Sequence, residues 1–413
     1  DMKSTLECVK GYFQSSLIGD VLIKGSMDLK KPSFYDSVMR FIDVKGISEI
    51  MKMKFLYSKI FSSSFGSVVA FKPKFVSSTM SDLQISGDVS FIKPVLSKCI
   101  VRLAQIGQNL RMEKLKLLNS DVSTLSIGGA LELSKPSIFK TNLNEITVES
   151  PSFLSKLSLS RSTASTILFG SSVSFFSPVI SKVKLNEIGF GGSLMISLAK
   201  ISKLELNRFL IRDRSTIDRM KTKQLVLKNP VIEGQLEVVS SEFTKTLISN
   251  ADISGSFVFK QSWIGGLDLS DVSISGSVRF LKTKLIKPVI SGVKQTSTGS
   301  LRIPGTEISG GKMTNLTMDG TVSFARSKLY GIQISDAVFY QDVDFSDALL
   351  KGVRFSYVVF KETVTFEGAR LSGCRFDHVI FEKPILAKHS KIRGMKLIET
   401  TFADNEGFSL RRR

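Results

Sequence analysis

Residues that commonly carry catalysis or metal binding are scarce in this chain of 413 residues. It contains three cysteines, two histidines and one tryptophan. The cysteines, Cys8, Cys99 and Cys374, are odd in number and far apart, so the spacing indicates no disulfide framework and favours a reducing compartment. Neither His378 nor His389 has partners at metal-ligand spacing. The sequence therefore predicts no metal site, no cofactor and no catalytic residue.

Long apolar runs are also absent. No stretch of the chain approaches the length of about 18 apolar residues that a membrane-spanning helix needs. The chain opens at Asp1 without methionine, which fits either a targeting segment removed before this numbering or a fragment of a longer chain. Together with the absence of disulfides, this favours the interior of an organelle, with the mitochondrion as the specific expectation.

What the sequence does contain is a repeat of about 21 residues. Sixteen pairs of positions, the anchor pairs, recur from Val68/Ala70 to Ile385/Ala387, with one slip of two residues between Val278 and Leu301 that predicts a loop near Lys294–Thr298. All sixteen second members and fourteen first members are apolar. A period of this length is typical of a solenoid, in which each turn buries its apolar face against the turns on either side.

Within a unit the apolar residues alternate at i and i+2, which is the spacing of strands. Four inward pairs per unit can be read near the C-terminus, as Val343/Phe345, Ala348/Leu350, Val353/Phe355 and Val358/Phe360. The spacing of 5, 5, 5 and 6 predicts a four-sided turn with one extra corner residue. Glycine stands two positions before nine of the sixteen anchor pairs, and we expect positive φ there; these glycines are Gly66, Gly87, Gly129, Gly192, Gly234, Gly255, Gly276, Gly299 and Gly320.

The stretches Ala348-Leu349-Leu350, Val353-Arg354-Phe355, Ala369-Arg370-Leu371 and Cys374-Arg375-Phe376 resemble the pentapeptide-repeat family, which places a small residue two before a central Leu or Phe. The resemblance covers 250–402 well and 66–249 more loosely. It implies an all-β, right-handed, four-sided parallel β-helix. The turn departs from the family pattern by a single additional residue, and the Arg, Lys, Ser and Val residues at the middle position depart from it as well.

The register of the repeat runs through most of the chain, so we interpret it as one elongated domain. We expect an N-terminal cap with the first irregular turns over 1–65, the β-helix over 66–402 and a basic tail over 403–413. Phe34–Phe41 has partly helical character, and Arg411, Arg412 and Arg413 are expected to be mobile.

Positive charge is the second strong feature. The chain carries 57 Lys and Arg against 37 Asp and Glu, a formal net charge of +20. Since inward positions are apolar, these charges must lie on outer faces, where they attract nucleic acid, anionic lipid or acidic protein. Keeping a β-rich surface soluble is the alternative role. The densest patch is Arg208, Arg212, Arg214, Arg219, Lys221, Lys223 and Lys228.

Two motifs resemble ligand sites only superficially. Gly305–Lys312 is a near miss to a phosphate-binding loop, with its lysine one residue late and Met313 after it. Asp342, Asp344 and Asp347 flank inward residues, so outward alternation explains them. We expect no small-molecule substrate.

The leading hypothesis is a non-catalytic structural or scaffold subunit, a basic β-helical rod that binds along a larger assembly. An organellar ribonucleoprotein and a membrane-associated complex are the two settings considered, with other proteins of that complex as partners and with RNA or anionic lipid on the basic surface. The alternative is a secreted β-helical carbohydrate-active enzyme or adhesin. Such enzymes wall a cleft with long loops, and the nearly constant spacing of the repeat leaves little chain for them.

Overall fold

The computed structural model describes residues 6–403, and every regular element in that range is a β-strand. The chain divides into two compact units, 1–206 and 207–413. Both are parallel β-solenoids, with about 19 turns in total and strands stacked about 21 residues apart. The predicted all-β solenoid is confirmed.

Each turn of the first unit contains up to three strands. The separate strands at the position of the anchor pairs are Leu6–Val9, Met27–Lys30, Val89–Ile92, Leu110–Glu113, Leu131–Ser134, Ser152–Ser155, Val173–Phe176 and Leu194–Ser197, and in two turns this position is the end of a longer strand. Short strands follow at Tyr12–Gln14, Ser33–Tyr35, Lys54–Leu56, Lys74–Val76, Val95–Ser97, Lys116–Leu118, Ser137–Phe139, Ser158–Ser160, Val179–Ser181 and Lys200–Ile201. Longer, bent strands complete the turns at Leu17–Ile23, Val38–Met51, Lys59–Phe71, Thr79–Ile85, Ile100–Ile106, Asp121–Ile127, Asn142–Val148, Thr163–Phe169 and Val183–Phe190, and Leu204–Ile211 contains the junction of the units.

The second unit follows the same plan. Its anchor strands are Ser215–Asp218, Gln235–Val239, Ser256–Lys260, Ser277–Leu281, Ser300–Arg302, Thr321–Ser323, Val343–Asp344, Val364–Thr365 and Ile385–Leu386. The next strands are Lys221–Thr222, Glu242–Phe243, Trp263–Gly265, Lys284–Ile286, Glu307–Ser309, Lys328–Tyr330, Leu349–Lys351, Arg370–Ser372 and Lys391–Arg393. The turns close through Leu225–Lys228, Val231–Ile232, Thr246–Ser249, Asp252–Ile253, Leu267–Ser270, Ser273–Ile274, Val289–Ser291, Lys294–Gln295, Lys312–Met318, Gln333–Phe339, Arg354–Phe360, Arg375–Phe381, Lys396–Ile398 and Thr401–Phe402.

Strand register confirms the repeat. Val89 pairs with both Val68 and Leu110, its equivalents in the preceding and following turns. Val278 pairs with Leu301, so the two extra residues are accommodated there. They lie in a short loop between the strands Lys294–Gln295 and Ser300–Arg302. A hydrogen bond of 2.9 Å from the Gly299 amide to the Thr296 carbonyl closes this loop. The loop predicted near this position is confirmed.

The inward pairs form the core of each unit. In the turn beginning at Val343, all eight predicted inward residues are at most 1% exposed. Phenylalanines at equivalent positions stack from turn to turn, with ring centroids 4.9 Å apart for Phe324 and Phe345 and 4.8 Å apart for Phe355 and Phe376. Flat apolar rings suit this position because successive turns repeat at about 4.8 Å, close to the separation of stacked rings.

Corners of the turn adopt left-handed backbone. Asp347, Gly352 and Tyr357 have φ of +55°, +66° and +55°, and they separate the four buried pairs of their turn. The fourth corner, at 361–363, takes the additional residue without positive φ. Three left-handed corners and one longer corner explain the spacing of 5, 5, 5 and 6.

The expectation for the nine glycines before the anchor pairs is wrong. None of them has positive φ. Their backbone instead approaches a neighbouring turn so closely that a side chain would collide with it. A Cβ on Gly255 would overlap the Gly234 carbonyl oxygen, and one on Gly276 would overlap that of Gly255. Glycine is required here because turns touch, not because the backbone is left-handed.

The N-terminal segment also departs from expectation. Phe34 lies in the strand Ser33–Tyr35 and Phe41 in Val38–Met51, so the partly helical interpretation of this stretch is wrong. Parallel pairing between successive turns extends back to Leu6, which pairs with Met27. One turn is a residue shorter, with Ser48 paired to Val68 across an irregularity between Val44 and Ile47. The division at residue 65 stays a prediction, and Arg411–Arg413 lie outside the described residues.

We predict that Gly255→Ala destabilises the protein more than Gly331→Ala does. Alanine at 255 must push two turns apart, whereas Gly331 has φ of +58° and open space around its Cβ position. The cost at 331 should be about 1–2 kcal/mol from the left-handed backbone alone, and we expect at least about twice that at 255. Urea denaturation followed by circular dichroism measures both, and equal losses would contradict the close-approach explanation.

Candidate functional site

The residues of the basic patch predicted at 208–228 are spread over different parts of the turn, and their role as a binding patch stays a prediction. Arg219, Lys221 and Lys223 follow each other along one side of a turn, while Arg208, Arg212, Arg214 and Lys228 lie on other parts of the coil. Several of these charges already have acidic neighbours: Arg219 lies 2.7 Å from Asp218, Lys221 lies 3.2 Å from Glu242, and Arg212 lies 3.6 Å from Glu233.

A larger basic surface lies on the first unit. One side of each turn consists of a left-handed corner, a short strand and the next corner, six residues in all. We call the stacked side formed by these segments the basic face; the segments are 10–15, 31–36, 52–57, 72–77, 93–98, 114–119, 135–140, 156–161, 177–182 and 198–203.

Charge is sharply segregated onto this face. It carries 17 of the 26 Lys and Arg residues in 1–206 but one of the 16 Asp and Glu residues, Asp36. The rest of that unit is net acidic, with 9 basic and 15 acidic residues. Charge in this unit is therefore segregated, with a strongly basic face and a net acidic remainder, and such a face produces a positive field over one side of the unit.

Eight lysines form a column along the first corner. They share left-handed φ between 51° and 59°, and they are Lys10, Lys31, Lys52, Lys72, Lys93, Lys114, Lys135 and Lys156. Their amides hold the column in register: each donates to the carbonyl just before the equivalent corner of the next turn, as from Lys72 to Ile92 and from Lys93 to Glu113, both at 2.7 Å. Side chains with the same charge are therefore placed one strand spacing apart, about 4.8 Å.

Two further columns complete the face. Lys54, Lys74, Lys116 and Lys200 open the short strands, and Lys54 pairs directly with Lys74. The opposite corner positions carry Lys98, Lys140, Arg161, Lys182 and Lys203. The 17 charges thus cover the full width of the face.

Alternation along each short strand explains why these side chains point outward. In Lys54-Phe55-Leu56 the phenylalanine is 1% exposed while the lysine is exposed. Phe13, Phe34 and Phe55 stack behind the face, with centroid separations of 4.8 Å and 4.5 Å. The stacked core determines the register of the strand, and the register determines where the lysines lie.

All 17 basic side chains are exposed. Within the described residues, Lys114 alone among them has a carboxylate at ion-pair distance, Glu113 at 2.7 Å. The hydrogen bond from Lys114, followed by its charge, holds the pKa of Glu113 below its ordinary value, and the charges of Lys135 and Lys93 act in the same direction. The face is therefore available to an anionic partner.

Sequence reasoning missed this face because it counted charge in blocks along the chain. The signal was present as lysine recurring at the period of the repeat, from Lys10 to Lys31 and from Lys72 onward. It becomes visible only when residues are aligned by their position in the turn.

Other chemical groups give no comparable site. His378 contacts Asp377 at 2.9 Å and Glu399 at 2.6 Å and stacks on Tyr357, as a partly exposed cluster at a corner. Over residues 6–403, no group of three or more His, Cys, Asp or Glu could hold a metal ion. The same range contains no helix that is long and apolar enough to cross a membrane.

Residues 341–382 match the family model for pentapeptide repeats in eight copies. Comparison with curated proteins finds no match. Among solved structures, the chain is similar to HetL, a pentapeptide repeat protein involved in heterocyst differentiation regulation from the cyanobacterium Nostoc sp. strain PCC 7120, with 9% identity, 60% of this chain and 91% of that chain covered, and a TM-score of 0.20. It is also similar to a mutant of the PL6 family alginate lyase AlyGC, with 8% identity, 98% and 94% covered, and a TM-score of 0.19.

We predict that two of the three thiols are inert in the folded protein. Burial raises the pKa of Cys99 and of Cys374, because a buried thiolate loses its hydration. Cys8 is partly exposed. A disulfide reagent at pH 8 should therefore label Cys8 rapidly and the other two only in denaturant. Rapid labelling of Cys99 in the native state would contradict this prediction.

The pKa of both buried thiols is higher in the folded protein than the value near 9.0 in the unfolded chain. The free energy of unfolding should therefore fall as the pH rises above about 9.

We predict that Lys93→Asn stabilises the protein. Lys93 has φ of +54°, a conformation that asparagine adopts more readily, and its removal lowers repulsion within the column. The expected gain is about 0.5–1 kcal/mol. Lys116→Asn is the matched control, because it removes the same charge from a strand position that disfavours asparagine. A loss of stability for Lys93→Asn in thermal denaturation would refute the prediction.

Proposed function

We propose that this pentapeptide-repeat solenoid is a non-catalytic scaffold subunit that binds an anionic partner through the basic face and so joins a larger assembly. The observation that carries the proposal is the segregation of charge, with 17 basic side chains and one acidic side chain on a single regular side of the first unit. Solenoids commonly bind through such extended, repeated surfaces.

The regular spacing of the charges supports binding rather than catalysis. Within one column every lysine has the same backbone conformation and the same relation to its neighbours, so the face presents many equivalent contacts in place of one differentiated pocket. Catalytic sites instead combine groups whose environments push their pKa values apart.

A larger assembly in an organelle, either a ribonucleoprotein or a membrane-associated complex, is the setting we propose. A uniformly charged face gives fast, salt-dependent association with an anionic surface. Other proteins of the assembly would contact the remaining faces, where acidic and basic residues are mixed.

The test compares sedimentation of the intact tagged chain from native extract with that of two variants. In the face variant, Lys72, Lys93, Lys114, Lys135 and Lys156 are changed to Asn. In the control variant, Lys45, Lys59, Arg102, Arg111 and Lys184, which lie on other sides of the same unit, are changed to Asn. The wild type and the control should sediment as a large assembly that about 0.5 M salt disrupts, and the face variant as a free chain. Sedimentation of the wild type as a free chain would overturn the proposal.

A further inference from the structure

Charge on the basic face is spread in two dimensions. Ten stacked strands at about 4.8 Å extend the face to about 43 Å, and six residues across give a width of about 15 Å. The strand pairing over this area is in register without a bulge, from Tyr12–Ser33 to Val179–Lys200. Three columns of cations on such a surface can all contact a planar anionic partner at once.

Lysine accounts for 16 of the 17 cations, Arg161 being the exception. Arginine is the residue that grips an individual phosphate or base with a planar fork, whereas lysine is a flexible, hydrated point charge. A field of lysines suits anions that are dense and laterally mobile, because no single contact needs fixed geometry.

Exposed apolar and aromatic side chains share the face with the lysines. Tyr12 is 66% exposed and Tyr57 57% exposed in the first turns, and Val179 is 49% and Leu198 37% exposed in the last turns. They lie toward the two ends of the stack of strands that forms the face. Tyrosine, with an apolar ring and a polar tip, is favoured at the boundary between water and lipid.

We infer that the basic face docks on the surface of an anionic lipid bilayer. This inference rests on the proposed function and names its partner. The lysine columns lie over the headgroups, and the exposed rings and aliphatic groups at both ends of the face enter the interface. Each lysine near such a surface adds to the attraction, which disappears beyond a Debye length.

A nucleic acid duplex matches the face less well. A side of ten stacked strands cannot enter a major groove, which admits a helix or a two-stranded ribbon. A cylindrical duplex would touch one strip of the face and leave the outer columns without partners. The scarcity of arginine removes the most common contact to bases and phosphates.

The experiment is co-sedimentation of the intact chain with vesicles of neutral phosphatidylcholine, and with vesicles that contain roughly one third phosphatidylserine. The wild type should bind the anionic vesicles alone and should be released at about 0.5 M salt. The affinity of the face variant for the anionic vesicles should fall at least roughly 100-fold, whereas that of the control variant should change by less than about threefold. Cooperative thermal melting by circular dichroism confirms that both variants are folded.

A parallel measurement with a duplex RNA separates the proposal that the basic face binds an anionic partner from the inference that this partner is lipid. If the wild type ignores anionic vesicles but binds the RNA, and the face variant loses that binding, the lipid assignment is overturned while the proposed binding face survives. If wild type and face variant bind both probes equally, or neither probe is bound, the basic face is not a binding surface and both proposals fail.

Discussion

Backbone hydrogen bonding between successive turns is the interaction on which the rest of this structure depends. Most amides in the short strands and at the corners find their partner about one repeat away in the chain, so a side chain at a given position lies directly beside its equivalent in the next turn. Because all turns share one strand register, the phenylalanines stack inside and the lysines form columns outside. A shift of one residue in a strand would exchange the two sets.

Much of the fold could be predicted from the sequence because the repeat is nearly constant. Apolar pairs such as Val343/Phe345 mark the buried positions, and the slip before Leu301 marks the loop that holds two extra residues. The role of the glycines could not be found in this way. Gly255 and Gly352 look alike in sequence, but one faces a neighbouring carbonyl and the other adopts positive φ. That difference depends on how closely a neighbouring turn approaches, and the sequence of one turn does not show this.

The candidate site was hidden for a related reason. Lys72, Lys93 and Lys114 are far apart along the chain and become neighbours only through stacking, while the local density of charge is greater at Arg212 and Arg219, where acidic residues lie nearby. Density along the sequence is therefore a poor guide in a solenoid. Position within the turn is the informative coordinate.

Lysine at the left-handed corners lowers the stability of the fold, and the fold does not require lysine there. Two of the nine equivalent corners in the second unit are glycine, Gly305 and Gly368, which adopt the left-handed conformation without strain. Retaining lysine at eight such corners, beside like charges, is expected where surface charge is needed for binding. Stability and the proposed binding are thus opposed at the same positions.

Lysine footprinting of the intact chain shows directly whether the basic face is the binding surface. Acylation by an amine-reactive ester, mapped by mass spectrometry with and without anionic vesicles, reports each lysine separately. We expect protection of the lysines on the basic face, such as Lys93 and Lys116, with Lys45, Lys59 and Lys184 on other sides remaining reactive. Protection spread evenly over all sides, or confined to lysines outside the basic face, would contradict this expectation.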